Sequence, residues 1–129
     1  MEANLLKKDS SKEYSIKKLE QTVLDSILDK KGERLVSMDL SNILEASTSK
    51  FIICEATSPR QVKAIADNVQ VEVKKHLKEW PMKVEGAQNA EWILIDYFDI
   101  MVHVFQKEKR EFYQLEELWS DAVFTNYDS

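Results

Sequence analysis

Trp92-Ile93-Leu94-Ile95-Asp96-Tyr97-Phe98-Asp99-Ile100-Met101-Val102-His103-Val104-Phe105 is the stretch on which the reading of the fold turns. Two apolar runs, Trp92 to Ile95 and Ile100 to Phe105, are joined by Asp96-Tyr97-Phe98-Asp99. Short apolar runs rich in β-branched residues and bounded by turn formers read as buried strands, and so short a connection reads as a β-hairpin. The turn lacks the glycine that tight hairpins favour. A further short strand is expected just upstream, at about 82–85.

Upstream of these strands lies the clearest helix. Ser58 is placed to cap it, Pro59 suits the first helical position, and Gln61 follows three after Ser58 as in a capping box. Val62, Ile65, Ala66, Val69, Val73, Leu77 and Trp80 form one apolar stripe, Lys63, Asp67, Lys74, Lys75 and Lys78 lie largely elsewhere, and Pro81 marks the end. Further back, Phe51 to Ala56 reads as an interior strand. Val36, Met38 and Leu40, alternating with Ser37 and Asp39, read as a half-buried one. Residues 41–49 are a turn or short helical piece. Ile16, Leu19, Val23, Leu24, Ile27 and Leu28 recur at helical spacing, with Gly32 just beyond. On the C-terminal side, Phe112, Leu115, Leu118 and Trp119 predict a final helix with Glu116 and Glu117 outward.

The order is thus α-β-β-α-β-β-β-α. It predicts one α/β (α+β) domain over 15–122, a mixed five-stranded sheet flanked by helices, with a flexible polar tail at 1–14 and a loose tail at 123–129. Its 129 residues suffice for one core. No stretch approaches the roughly 18 apolar residues of a membrane span, and Met1 to Lys12 lacks the apolar segment of a secretory signal, so a cytoplasmic location is expected. The net charge of -5 offers no broad attraction for nucleic acid, leaving room only for a local basic patch.

Reactive constellations are sparse. With two glycines, Gly32 and Gly86, the chain has neither a P-loop nor a dinucleotide fingerprint. Its one cysteine, Cys54, sits in the apolar run Phe51-Ile52-Ile53-Cys54 and reads as a buried small hydrophobe. His76 reads as a solvated helix residue. His103 interrupts a strand without a visible ligand or nucleophile beside it, and reads as structural. Asp96 and Asp99 flank the hairpin turn, where aspartates bond their own backbone; paired metal-binding carboxylates, with Asp39 as a third, are the alternative. Glu85-Gly86-Ala87-Gln88-Asn89-Ala90-Glu91 is a polar loop leading into Trp92, which serves either the core or an interface.

Taken together, Thr57-Ser58-Pro59-Arg60-Gln61-Val62-Lys63-Ala64-Ile65-Ala66-Asp67, Val84-Glu85-Gly86, Glu91 to Tyr97, Asp99 to Phe105 and Arg110-Glu111-Phe112-Tyr113-Gln114-Leu115-Glu116-Glu117-Leu118-Trp119 resemble the ribosomal silencing factor family, also called Iojap-like proteins. The likeness spans roughly 17–122. Ser49-Lys50-Phe51 departs from it, because the family usually carries an acidic residue and a tyrosine there. The resemblance implies a nucleotidyltransferase-like topology without the catalytic site, no enzymatic activity and no cofactor or metal. It implies binding to large-subunit protein uL-fourteen, which blocks joining of the small subunit and represses translation when nutrients are scarce. Organelle relatives assist large-subunit assembly. Little direct nucleic-acid binding and a possible homodimer are also expected. On this resemblance the partner-binding residues are Trp92 as anchor, Ile93 and Asp96 beside it, and Glu85 and Gly86 in the approach loop, with Arg60, Lys63 and Tyr113 as peripheral candidates.

Overall fold

A computed structural model describes residues 2–127, with side chains from residue 11 onward. The elements run α1 (Glu2–Asp29), β1 (Glu33–Asp39), β2 (Lys50–Ala56), α2 (Pro59–Leu77), β3 (Lys83–Glu85), β4 (Trp92–Asp96), β5 (Ile100–Gln106), α3 (Lys107–Tyr113), α4 (Leu115–Leu118) and β6 (Val123–Asn126). The sheet has six strands in the order β3-β4-β5-β2-β1-β6, antiparallel except where β2 runs parallel to β5.

Strand parity sorts the side chains into two layers, because directly paired residues share a face. Ile93 pairs with Val104 and Ile95 with Val102, and these continue across to Cys54 and Ile52 on β2. This face is covered by α1 and α2, whose Leu19, Val23, Ile27, Val62, Ile65, Val69 and Val73 complete the main core. On the opposite face, Trp92 pairs with Phe105, Leu94 with His103 and Asp96 with Met101. Here Val36, Met38, Phe51, Ile53 and Phe105 form a second core under Leu115 and Ala122, with Trp119, Ile43 and Ala46 at its margin. That second cover lies over the middle strands and β1, and Tyr113 of α3 meets Trp92 at the start of β4.

Several expectations need correction. Helical backbone continues back to Glu2, through most of the stretch expected as a tail, because nothing before Gly32 is a glycine or proline to stop it; Met1 lies outside the described residues. Leu28 is exposed, not part of the apolar stripe. Both faces of β1 are buried, and Ser37 meets its polar need through the Tyr127 hydroxyl at 3.1 Å. The second helix ends at Leu77, because Lys78 takes a left-handed conformation and returns its N–H to the Lys74 carbonyl, so Trp80 lies outside the stripe. At its start, Ser58 Oγ accepts from the Gln61 N–H as expected, whereas the Gln61 side chain reaches the Lys31 carbonyl instead of closing a reciprocal box.

The final helix is two. Gln114, at φ 46, closes α3 and redirects the chain, so Leu115 enters the second core while Phe112 and Leu118 stay exposed. The residues expected as a loose C-terminal tail instead include β6, which pairs with β1 from Val36↔Asn126 to Asp39↔Val123 and makes a sixth strand; residues 128–129 lie outside the described chain.

A buried ion network fastens this C-terminal part. Arg110 on α3 donates through Nη1 to the Arg34 carbonyl at 2.7 Å and to Glu55 Oε1 at 3.2 Å, and through Nε and Nη2 to Glu116 Oε2. Burial pushes the Glu55 carboxyl above its ordinary pKa, against the pull of Arg110 and Arg34. Because that raised pKa makes the native state the tighter proton binder, acidification through it favours the folded form. Replacing Arg110 with Met should cost about 3–5 kcal/mol at neutral pH, read by urea unfolding. The deficit should shrink as the pH falls and Glu55 takes up its proton; a deficit that stays constant with pH would show that Glu55 is not the group left stranded.

Candidate functional site

The hairpin of β4 and β5 places Trp92 on the sheet face away from α1 and α2. Its ring is half-buried. It stacks on Phe105 at 4.8 Å between centroids and meets Tyr113 of α3 at 4.9 Å. Its indole Nε1–H donates to His103 Nδ1 at 3.1 Å. Burial holds His103 well below its ordinary 6.5, at about 3, so the imidazole is neutral and its proton sits on Nε2. That Nε2 has no protein acceptor among the described residues, and the ring packs edge-on against Phe51 with centroids 4.6 Å apart. His103 is therefore a buried acceptor that fixes one orientation of the tryptophan.

Gly86 shapes the approach. Its φ is +83, and a Cβ built there would stand 2.0 Å from the Trp92 carbonyl oxygen, so only glycine lets the loop fold back over the start of β4. Ala90 N–H donates to the Gly86 carbonyl at 2.9 Å and closes the loop. Glu85 is exposed, paired with Lys83 at 3.1 Å, and lies opposite Leu94 in the ladder, hence on the Trp92 face. Tyr113 is exposed beside the tryptophan, and Phe112 packs edge-on to it at 5.1 Å. Trp92, Leu94, Met101, Phe112 and Tyr113, rimmed by Glu85, make one apolar surface.

Not every predicted residue belongs there. Ile93 is 1% exposed and points into the helix-covered core, so it cannot touch a partner; adjacent residues on a strand face opposite ways. Asp96 is on the right face but buried, with Oδ1 accepting from the Phe98 N–H at 2.8 Å, which is the turn-forming role. Arg60 and Lys63 are exposed on α2, the helix packed on the other face of the sheet from Trp92. Leu94 and Met101 were missed by sequence reasoning. Reading the apolar run as a continuous block concealed the alternation that assigns Leu94 to the face of Trp92.

The carboxylates do not converge. Asp39 Oδ1 accepts from the Ser41 N–H and hydroxyl, which hold it below its ordinary pKa, while Asp96 is engaged in its own turn. Among the described residues no group of three or more His, Cys, Asp or Glu side chains is placed to hold a metal ion. Cys54 is buried, its thiol pushed up to about 12 by desolvation. The arrangement offers a docking surface with a fixed aromatic anchor.

A family model described as "Ribosomal silencing factor during starvation" matches residues 13–129. The chain is 39% identical over 111 residues to the ribosomal silencing factor RsfS of Halalkalibacterium halodurans, covering 84% of this chain and 91% of that protein. It is 34% identical over 80 residues to the mouse protein named mitochondrial assembly of ribosomal large subunit protein 1, covering 60% of this chain and 35% of that one. A crystal structure of a Chromobacterium violaceum protein superposes with a TM-score of 0.76 at 31% identity, covering 81% of this chain and 86% of that chain.

The neutral, buried His103 predicts a pH dependence. Its pKa is about 3 in the fold against an ordinary 6.5, so the unfolded chain binds the proton more tightly. The stability it contributes is complete above the ordinary value and is lost as the pH falls toward the folded value, by about 1.4 kcal/mol per pH unit. A His103→Gln variant should be less stable at pH 7 yet flatter through this acidic window in urea unfolding. A variant with the slope of the parent would show that His103 is not held neutral.

Proposed function

The chain belongs to the ribosomal silencing factor family, and on that premise we propose that it binds protein uL-fourteen of the large ribosomal subunit through the Trp92 surface. By occupying that site it blocks joining of the small subunit and represses translation under nutrient limitation. The observation that carries the reading is the half-buried Trp92, held in one orientation by its hydrogen bond to His103 and flanked by the exposed Tyr113 of α3. Rigid, partly exposed tryptophans are the residue type that most often dominates binding energy, and pre-ordering the ring lowers what association must spend in side-chain entropy.

Blocking by volume needs no chemistry. A specific contact covers about 1,600 Å² in total, counted over both partners. Phe112, Tyr113, Leu94 and Met101 extend the anchor toward such an area. The net charge of -5 complements the basic character common among ribosomal proteins and would speed encounter. The aspartates expected of a nucleotidyl-transfer site are engaged in local turns, which supports a non-enzymatic role. No helix of the described chain is long and apolar enough to cross a membrane, in keeping with action on cytoplasmic ribosomes. A role in large-subunit assembly at the same site is the second reading, favoured by the printed name of the mouse relative.

Binding to isolated uL-fourteen and to large subunits, with subunit joining followed by light scattering in the same samples, tests both readings. Trp92→Ala should weaken binding by about 2 kcal/mol or more and release the block on joining, while Arg60→Ala should change neither. Binding without any effect on joining would favour assembly. Equal affinity of parent and Trp92→Ala, with both folded, would displace the site.

A further inference from the structure

The C-terminal end of α2 carries a second surface, unlike the first in chemistry and on the other side of the sheet. Trp80 is 71% exposed and Met82 69% exposed, just past the helix. Lys74 Nζ lies 4.6 Å from the centroid of the Trp80 ring. Lys74 and Lys78 are one turn apart on α2 and its cap, and Lys75 adjoins them.

The charges around these lysines are accounted for. Lys74, Lys75 and Lys78 make no ion pair among the described residues, and Lys78 Nζ donates only to the Lys75 carbonyl at 3.4 Å. Glu72 is turned toward His76, at 3.3 Å, on the side of the helix that faces the α1 groove. Lys83 is held by Glu85. Glu79 is the one acidic neighbour within the run Lys74 to Trp80. In a chain of net charge -5, this is a local concentration of unpaired positive charge beside a freely presented aromatic ring.

We propose that this end of α2 binds single-stranded RNA, with backbone phosphates on Lys74, Lys75 and Lys78 and one base stacked on Trp80. The pairing of lysines with an open aromatic face is what sequence-independent single-strand binding requires: the cations follow the backbone, and the ring accepts any base. Lys74 stands over one face of the indole, and the side chain is still 71% exposed. A duplex would satisfy the lysines but would have no free base face for Trp80. The overall acidity of the chain confines the contact to this patch and makes it weak and sensitive to salt.

The inference does not rest on the Trp92 surface. Trp92 lies on the sheet face away from α1 and α2, and Trp80 follows α2, so loss of one leaves the other intact.

The test is fluorescence anisotropy of a labelled oligouridylate of about 12 nucleotides against the full chain, from about 20 to 150 mM salt. The expected result is salt-dependent binding, weakened on the order of tenfold by Lys74→Glu with Lys78→Glu, about fivefold by Trp80→Ala, and not at all by Trp92→Ala. The log–log salt slope should fall by roughly 0.7 for each lysine removed. All of the replaced groups at this patch are outside the core, so the circular dichroism of each variant should match that of the parent. Absence of binding at low salt would overturn the proposal, as would variants that bind like the parent. Equal competition by polyglutamate, indifferent to Trp80→Ala, would also overturn it, because the patch would then be a general polyanion site.

Discussion

The hydrogen bond from the Trp92 indole to His103 fixes the ring on which the proposed docking surface is built. It runs between neighbouring strands of one hairpin, so it exists only if β4 and β5 are in this register. It also requires a neutral imidazole, which burial among Phe51, Ile53 and Phe105 enforces. A strand histidine without a second ligand is thus explained by what it does for its neighbour. The cost is a ring whose Nε2–H has no protein partner among the described residues.

The same register separates the two faces of the sheet. Ile93 and Ile95 close the core against two helices, while Trp92 and Leu94, one residue away, are turned outward. The second core protects only the middle of the outward face. Its cover depends on Arg110, whose guanidinium joins α3 to the Arg34 carbonyl, to Glu55 on β2 and to Glu116 on α4. That network anchors α3, which carries Tyr113 beside Trp92, so a buried ion pair two strands from the tryptophan helps to set the shape of the proposed docking surface.

Much of this was legible in the sequence. The hairpin, the strand limits of β4 and the Ser58–Pro59 start of α2 follow from apolar runs and capping chemistry, and the family resemblance named the group that the comparisons support. What failed has physical causes. The sixth strand is a tertiary partnership: Val123–Asn126 is exposed along its whole length and is ordered by pairing with β1, which no local pattern announces. The break at Gln114 depends on a left-handed residue that is not glycine, as does the hairpin turn at Phe98, φ 74. Within the site, Trp92, Glu85, Gly86 and Tyr113 were placed together as expected. Ile93 was misassigned because neighbours in sequence are opposites in a strand. Arg60 and Lys63 lie on the helix packed on the other face from Trp92, a placement that only the packing of α2 decides.

Trp92 is the proposed point of attachment to uL-fourteen. The chain has three tryptophans, Trp80, Trp92 and Trp119, so their indole N–H resonances in a nitrogen-15 NMR spectrum report separately on three regions. Titrating the labelled chain with unlabelled uL-fourteen should shift or broaden the Trp92 indole signal first and most, with Trp80 unmoved. Binding that leaves the Trp92 signal in place while Trp80 or Trp119 responds would contradict the account.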